Sequence, residues 1–156
     1  MKILLPDNSE LELPAGATGL DAARRIGAKL AEQAVLVKVD DAPQDLRLPL
    51  ADGQRIKFLT TRDTDDPDAL YVLRHSSAHL LAEAVRKLHP GVKIAIGPPI
   101  ENGFYYDFEF PQPISDADLQ AIEDEVRREI KEGREWSREE ISRDEAKARF
   151  DAEGEP

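Results

Sequence analysis

Residues 1–40 read MKILLPDNSELELPAGATGLDAARRIGAKLAEQAVLVKVD, and their patterning decides the fold of the first part of the chain. Residues 2–5 and 10–13 are short runs on either side of Pro6, Asp7, Asn8 and Ser9, turn-forming residues that predict a hairpin. Thr18 stands where a helix N-cap belongs, with Asp21 three residues on. Leu20, Ala23, Ile26 and Leu30 follow at helical spacing, which predicts one amphipathic helix. Residues 35–39 are apolar and rich in valine, as a strand requires; Asp40, Asp41, Ala42 and Pro43 are expected to turn the chain. Residues 46–48 and 55–59 then supply further strand-like alternation. The order is ββαββ with a closing strand. A helix laid across one face of a small mixed sheet is an α+β arrangement, and about 60 residues suffice for it although such a core is small.

Residues 60–68 are polar and carry Pro67 with Asp63, Asp65 and Asp66 close by, so they read as a linker and place a domain break after residue 62. The expected division is 1–62 and 63–156. Asp66-Pro67 forms a cap and first helical position, and Leu70, Leu73, Ser77, Leu80, Leu81, Ala84, Val85 and Leu88 continue a long helix to Pro90-Gly91. Residues 94–96 and 104–110 follow as strands. In the second of these Phe104, Tyr106, Phe108 and Phe110 share one face, and Asn102-Gly103 before it is a strong hairpin signal. Ser115 with Asp118 makes a capping box for a charged helix whose inner stripe is expected to be Leu119, Ile122, Val126 and Ile130, ended by Gly133. A short segment around Trp136 and Ile141 precedes a second box, Ser142 with Glu145, and a last helix carrying Ala146 and Phe150.

The 156 residues are 40% hydrophobic, which suits a folded core, and contain no cysteine, which excludes disulfides, thiol nucleophiles and cysteine-ligated metals. No stretch approaches the ~20 apolar residues of a membrane span, and Pro6 interrupts the start too soon for a signal peptide. A soluble, unprocessed, cytoplasmic protein with no membrane partner is the expectation. The net charge of −11 opposes non-specific attraction to a phosphate backbone.

Two histidines stand out. His75 and His79 lie four apart in RHSSAHLL, which brings both imidazoles to one side of the long helix. Such a pair can bind a metal with help from other groups, can hold and activate water, or can simply be hydrogen-bonded on a half-buried face. Zinc needs three or four protein ligands, and His89, the remaining histidine, falls on another face. No metal site is therefore assigned. Gly97-Pro98-Pro99 reads as a stiff turn, and Tyr106 on the aromatic face could pack, stack a base or donate a hydrogen bond.

Residues 74–109, RHSSAHLLAEAVRKLHPGVKIAIGPPIENGFYYDFE, resemble the opening of the editing domain of the threonyl-tRNA synthetase family. The first 60 residues resemble the TGS domain that precedes it, a ubiquitin-like β-grasp fold, and the charged helices resemble the stretch that comes next. The resemblance covers essentially the whole chain. It implies a TGS domain followed by the first half of the editing domain: a long HxxxH helix, a β-hairpin and charged helices. His75 and His79 would then help to position or activate the water that hydrolyses Ser-tRNA(Thr), and Tyr106 would be a substrate-pocket residue. The family completes this site with a later lysine and a CxGxH motif, neither of which is present here.

By the same resemblance the parent enzyme would be a threonine-tRNA ligase using ATP, magnesium and a catalytic-domain zinc, none of them bound by this segment. It would take the 3′ end of tRNA(Thr) through the complete editing domain and dimerise through regions outside this one. The segment alone is expected to be inactive. The competing readings are a freestanding TGS-type module that binds RNA or protein without catalysis, and a complete stand-alone editing factor, against which the missing cysteine and histidine argue. TGS domains also resemble modules in GTPases and alarmone synthetases, but no Walker-type phosphate loop occurs here.

Overall fold

A computed structural model describes every residue except Glu135, Trp136, Arg138, Glu155 and Pro156, so the sequence expectation at Trp136 lies outside the described residues. The chain forms two compact units, Met1–Ser76 and Ser77–Pro156.

In the first unit β1 (Lys2–Leu4) and β2 (Glu10–Glu12) form the expected antiparallel hairpin. Its turn closes through Leu5 N–H to Ser9 O at 2.9 Å, with Asn8 in the left-handed region at φ 68°. The Thr18 capping box starts α1 (Gly19–Ile26): Thr18 Oγ1 accepts from Asp21 N–H at 3.2 Å, and Asp21 Oδ2 accepts from Thr18 N–H at 2.9 Å. The single helix expected through Leu30 is in fact two. Gly27 adopts extended backbone, φ 171° and ψ 145°, and α2 (Ala28–Gln33) restarts after it. Glycine is the weakest helix former after proline, so the break falls where holding helix costs most.

β3 (Ala34–Val39) is the centre of an antiparallel three-stranded sheet, flanked by β4 (Ala42–Gln44) and β5 (Ile56–Thr60). Asp40 and Asp41, at φ 50° and 68°, make the two-residue loop whose twist suits a hairpin, so Ala42 and Pro43 belong to β4 and not to the turn. Pro43 is tolerated because β4 is an edge strand. Residues 46–48, expected as strand, form a turn instead. They are fixed by burial of Leu46 and Leu50 and by backbone bonds from Leu20 N–H to Leu46 O and from Leu50 N–H to Ala17 O. A parallel bridge between Leu4 and Arg55 joins β1 to the β5 side, which makes the arrangement mixed as expected.

Ile3, Ala22, Val37 and Ile56 are wholly buried in the first core. The helix lies close on the sheet because Gly19 has no side chain: a Cβ there would sit 2.9 Å from Val37 Cγ1 and 3.3 Å from Leu46 O. A second cluster joins Leu36 and Leu59 to Ala69, with Val72 against it, so the first turns of α3 (Pro67–Leu88) pack within this unit. The stretch read as a linker is tied down as well. Thr60 N–H and Oγ1 both donate to Asp63 Oδ2 at 2.7 Å, and Lys38 Nζ bridges Asp66 at 3.0 Å and Asp68 at 2.9 Å. The units consequently divide inside α3, after residue 76, rather than after residue 62.

The second unit contains the rest of α3, β6 (Lys93–Ile94), β7 (Pro99–Ile100), β8 (Gly103–Phe104), β9 (Phe108–Glu109), α4 (Asp116–Glu132) and α5 (Arg143–Glu153). The aromatic strand expected over 104–110 is split, because its first part pairs with β7 and its last part with β6. Alternation nevertheless survives the change of partner. Phe104, Tyr106, Phe108 and Phe110 are half-buried while Tyr105, Asp107 and Glu109 are exposed. Ala84, Val85, Val92 and Ile122 form the core here, with Leu81, Ile94, Phe108, Phe110 and Val126 packed on it.

The stripe expected on α4 is rotated. Ile122 is buried and Val126 half-buried, but Leu119 and Ile130 are 55% and 60% exposed, and the inward positions between and beyond the two apolar residues are held by Glu125 and Glu129. The capping contacts are as expected: Asp118 Oδ2 accepts from Ser115 N–H and Oγ at 2.7 Å, and Gly133 ends the helix at φ 61°. Ser142 Oγ likewise accepts from Glu145 N–H at 3.2 Å to start α5. Among the described residues no helix is long and apolar enough to cross a membrane.

Candidate functional site

Helix α3 is one continuous helix of 22 residues, so His75 and His79 keep the same-face relation that their spacing requires, about 6 Å apart along the axis. Both imidazoles are exposed. One turn before them the exposed Tyr71 ring meets His75 edge-on at 5.8 Å between centroids, extending the same face. His89 is elsewhere, edge-on to Phe110 at 5.1 Å. Among the described residues no three His, Asp or Glu side chains are gathered as metal ligands.

Tyr106 is half-buried between two surfaces. Its ring stacks on Phe108, 4.8 Å between centroids and 15° from parallel, and its other contact is the backbone of Gly97. A Cβ at residue 97 would stand 2.1 Å from Tyr106 Cδ2 and 2.4 Å from Cε2, so only glycine leaves room for the ring. The stiff turn expected at Gly97-Pro98-Pro99 does not form, since residues 97 and 98 are in neither turn nor bend and Pro99 opens β7; the close approach to Tyr106 was not visible in the sequence. The tyrosine is thereby held by packing, which limits where its hydroxyl can be.

His79 also lines a cavity of 660 Å³ with Ala82, Glu83, Arg86, Lys87, Ile94 and Arg134; neither His75 nor Tyr106 lines it. Glu83, Lys87 and Arg134 on its wall belong to ion pairs that tie α3 to α4 and to a residue just beyond it, which sequence reading did not find. Arg134 meets Glu83 at 2.7 Å, and Lys87 meets Glu125 at 2.8 Å. Arg128 closes on the same Glu125.

Hydrogen bonds from Arg128 and then Lys87 lower the Glu125 pKa to about 2, from 4.5. Because the folded state holds this proton less tightly than the unfolded one, the stability from Glu125 is complete above pH 4.5 and is lost as pH falls toward about 2. Glu125→Gln is expected to flatten that acid limb, as followed by circular dichroism during acid titration; an unchanged limb would count against these ion pairs. Glu129 acts in the opposite sense. Burial, and then the Glu83 and Glu125 carboxylates, raise its pKa, so its ionisation removes stability as pH rises above the ordinary carboxylate range.

A small α+β unit is followed by a helix that presents an HxxxH face, and comparisons with known proteins show what the chain is similar to. Residues 1–60 match the TGS domain family. Over 155 residues, 99% of its length, the chain is 43% identical to a threonine–tRNA ligase of Citrifermentans bemidjiense, of which it covers 24%. It is 44% identical over 145 residues to that of Rubrobacter xylanophilus, with 93% of this chain and 22% of the relative aligned. With that of Acidithiobacillus ferrooxidans it shares 44% identity over 153 residues, 98% of this chain and 23% of the relative. Residues 1–60 thus match a TGS domain, and the chain as a whole is similar to the N-terminal region of threonine–tRNA ligases, spanning about a quarter of their length.

Proposed function

We propose that this chain is the N-terminal region of a threonine–tRNA ligase whose whole protein attaches threonine to tRNA(Thr) using ATP and hydrolyses Ser-tRNA(Thr), acting in the cytoplasm. In this reading residues 1–62 supply the TGS module and residues 63–156 one wall of the hydrolytic site. The observation that carries the reading is the exposed His75–His79 face of α3, lying in a chain similar over nearly its full length to those ligases.

The need for hydrolysis is energetic. Serine lacks one methyl of threonine, and one such group in a pocket is worth only ~1–3 kcal/mol, too little for accurate charging by binding alone. A second site admits the smaller side chain and cleaves its ester. Water held by His75 and His79 attacks the seryl carbonyl carbon while an imidazole takes its proton, and the ester C–O bond then breaks as that proton passes to the ribose oxygen, freeing serine and the tRNA end. Tyr106, clamped between Phe108 and Gly97, supplies a fixed pocket wall. ATP, magnesium and zinc would serve regions of the ligase outside this one.

The test is deacylation of Ser-tRNA(Thr) by a protein in which these residues are followed by the remainder of a threonine–tRNA ligase. His75→Ala and His79→Ala are each expected to slow it by ~10²–10⁴-fold, the usual range for lost acid–base assistance, while threonine attachment is unchanged. Full hydrolysis by either variant would overturn the role assigned to α3. Rapid hydrolysis by the 156 residues alone would overturn the one-wall reading.

A further inference from the structure

Tyr71 is a large side chain that the fold leaves outside. It is 55% exposed and takes no part in the apolar clusters formed by the described residues. Its backbone is nevertheless anchored. Ala69 and Val72, close to it in α3, pack with Leu36 and Leu59, and Lys38 ties down the start of the helix through Asp66 and Asp68. At about 100° per residue, Tyr71 points away from the face that carries Ala69 and Val72. The ring is thus carried outward on a fixed segment, where it meets His75.

The contact follows from helix geometry. Side chains at i and i+4 share a face, and each leans toward the turn before it, so the His75 imidazole lies back over Tyr71. Their centroids are 5.8 Å apart and their planes 76° from parallel, the edge-to-face arrangement that aromatic rings prefer. An exposed imidazole without such a neighbour moves between staggered χ1 wells. A contact of this kind is worth roughly two- to tenfold in population, so it favours the orientation in which it forms. The attraction belongs to the ring and not to the phenol hydroxyl, which is why phenylalanine can replace tyrosine in it.

We propose that Tyr71 is a positioning residue for His75: its ring fixes the imidazole in the orientation that holds the attacking water. The proposal rests on the hydrolytic role given to α3 above. Tyr71 acts only through His75, so its loss lowers the fraction of molecules with the imidazole in place, which reduces kcat and leaves KM alone.

The experiment has two arms. The first compares His75 by NMR in the 156-residue chain and its Tyr71→Phe and Tyr71→Ala variants. Tyr71→Phe is expected to keep the ring-current shift and the χ1 couplings of the parent; Tyr71→Ala should lose the shift and show averaged couplings. Alanine is the better helix former and the site is exposed, so neither variant should differ in stability by more than ~0.5 kcal/mol, the range of surface substitutions. The second arm uses a protein in which these residues are followed by the remainder of a threonine–tRNA ligase. There Tyr71→Ala should lower kcat for Ser-tRNA(Thr) hydrolysis by ~2–10-fold at unchanged KM, with threonine attachment unaltered and phenylalanine restoring the rate. A raised KM at unchanged kcat would make Tyr71 a substrate contact and overturn the proposal, as would failure of phenylalanine to restore the rate. Unchanged couplings in Tyr71→Ala, with hydrolysis still impaired by His75→Ala, would overturn the proposal alone. Averaged couplings with full hydrolysis by His75→Ala would overturn the hydrolytic reading and the proposal with it.

Discussion

Replacing Ile56 by alanine is expected to destabilise the TGS unit by ~2–5 kcal/mol, the range for truncating a fully buried isoleucine that leaves a cavity. Ile56 is 0% exposed in β5, opposite Val39 of the central strand, and belongs to a core that also holds Ile3, Val37 and Ala22. A unit of this size has about 4–11 kcal/mol to lose in total, at ~0.05–0.15 kcal/mol per residue. The variant should therefore populate unfolded first unit at ordinary temperature or show a much lower urea midpoint, read from the amide signals of residues 2–60. Ile96→Ala is the control, because Ile96 is 58% exposed and its loss is expected to stay within ~0.5 kcal/mol. Equal effects at the two sites would mean that the described core is not the one that holds the domain.

What could be read in the sequence divides along the reach of the interactions. The Thr18–Asp21 and Ser115–Asp118 boxes and the spacing of His75 and His79 are local, set by one helical turn, and they stand as read. The opening hairpin and the strands around residues 35–39 and 55–59 were legible for the same reason, whereas the strand expected at 46–48 lies at Ala42–Gln44 and the single helix is two. The Asp40-Asp41 loop misled by its neighbour: Pro43 reads as turn until it is known that β4 is an edge, and an edge is a property of the whole sheet.

On α4 the expectation failed differently. Leu119 and Ile130 are as apolar as a core stripe should be, but which face turns inward depends on what the opposing elements offer, and Lys87 and Arg128 make Glu125 tolerable inside. Charge pattern gives the solvated face only by default. The division of the units inside α3 was hidden for a similar reason. It depends on Ala69 fitting against Leu59 and against Leu36, the latter a contact across more than 30 residues of chain.

The Gly97–Tyr106 approach was the least legible feature of the candidate site, and it supports the second large prediction. Gly97→Ala is expected to cost ~1–3 kcal/mol as an overpacking substitution, because a carbon placed 2.1 Å from an aromatic ring forces the ring to move. The left-handed backbone offers no competing explanation, because Gly97 does not adopt it, and the nearest atoms an added carbon would meet all belong to the Tyr106 ring.

A double-mutant cycle isolates that clash. Tyr106→Ala removes the ring, so Gly97→Ala introduced into that background should cost little, giving a coupling above ~1 kcal/mol where independent sites would add to within ~0.5 kcal/mol. The stacking on Phe108 provides a second readout, since displacement of the ring should erase the ring-current shifts that the 15° stack imposes. In the intact ligase, under the proposed reading, the same substitution should impair Ser-tRNA(Thr) hydrolysis without touching either histidine, chiefly through KM, because what it disturbs is a wall that positions substrate. Additive energies with unshifted ring signals would show that Tyr106 is not held by this glycine, and its place as a fixed wall of the pocket would then have to be given up.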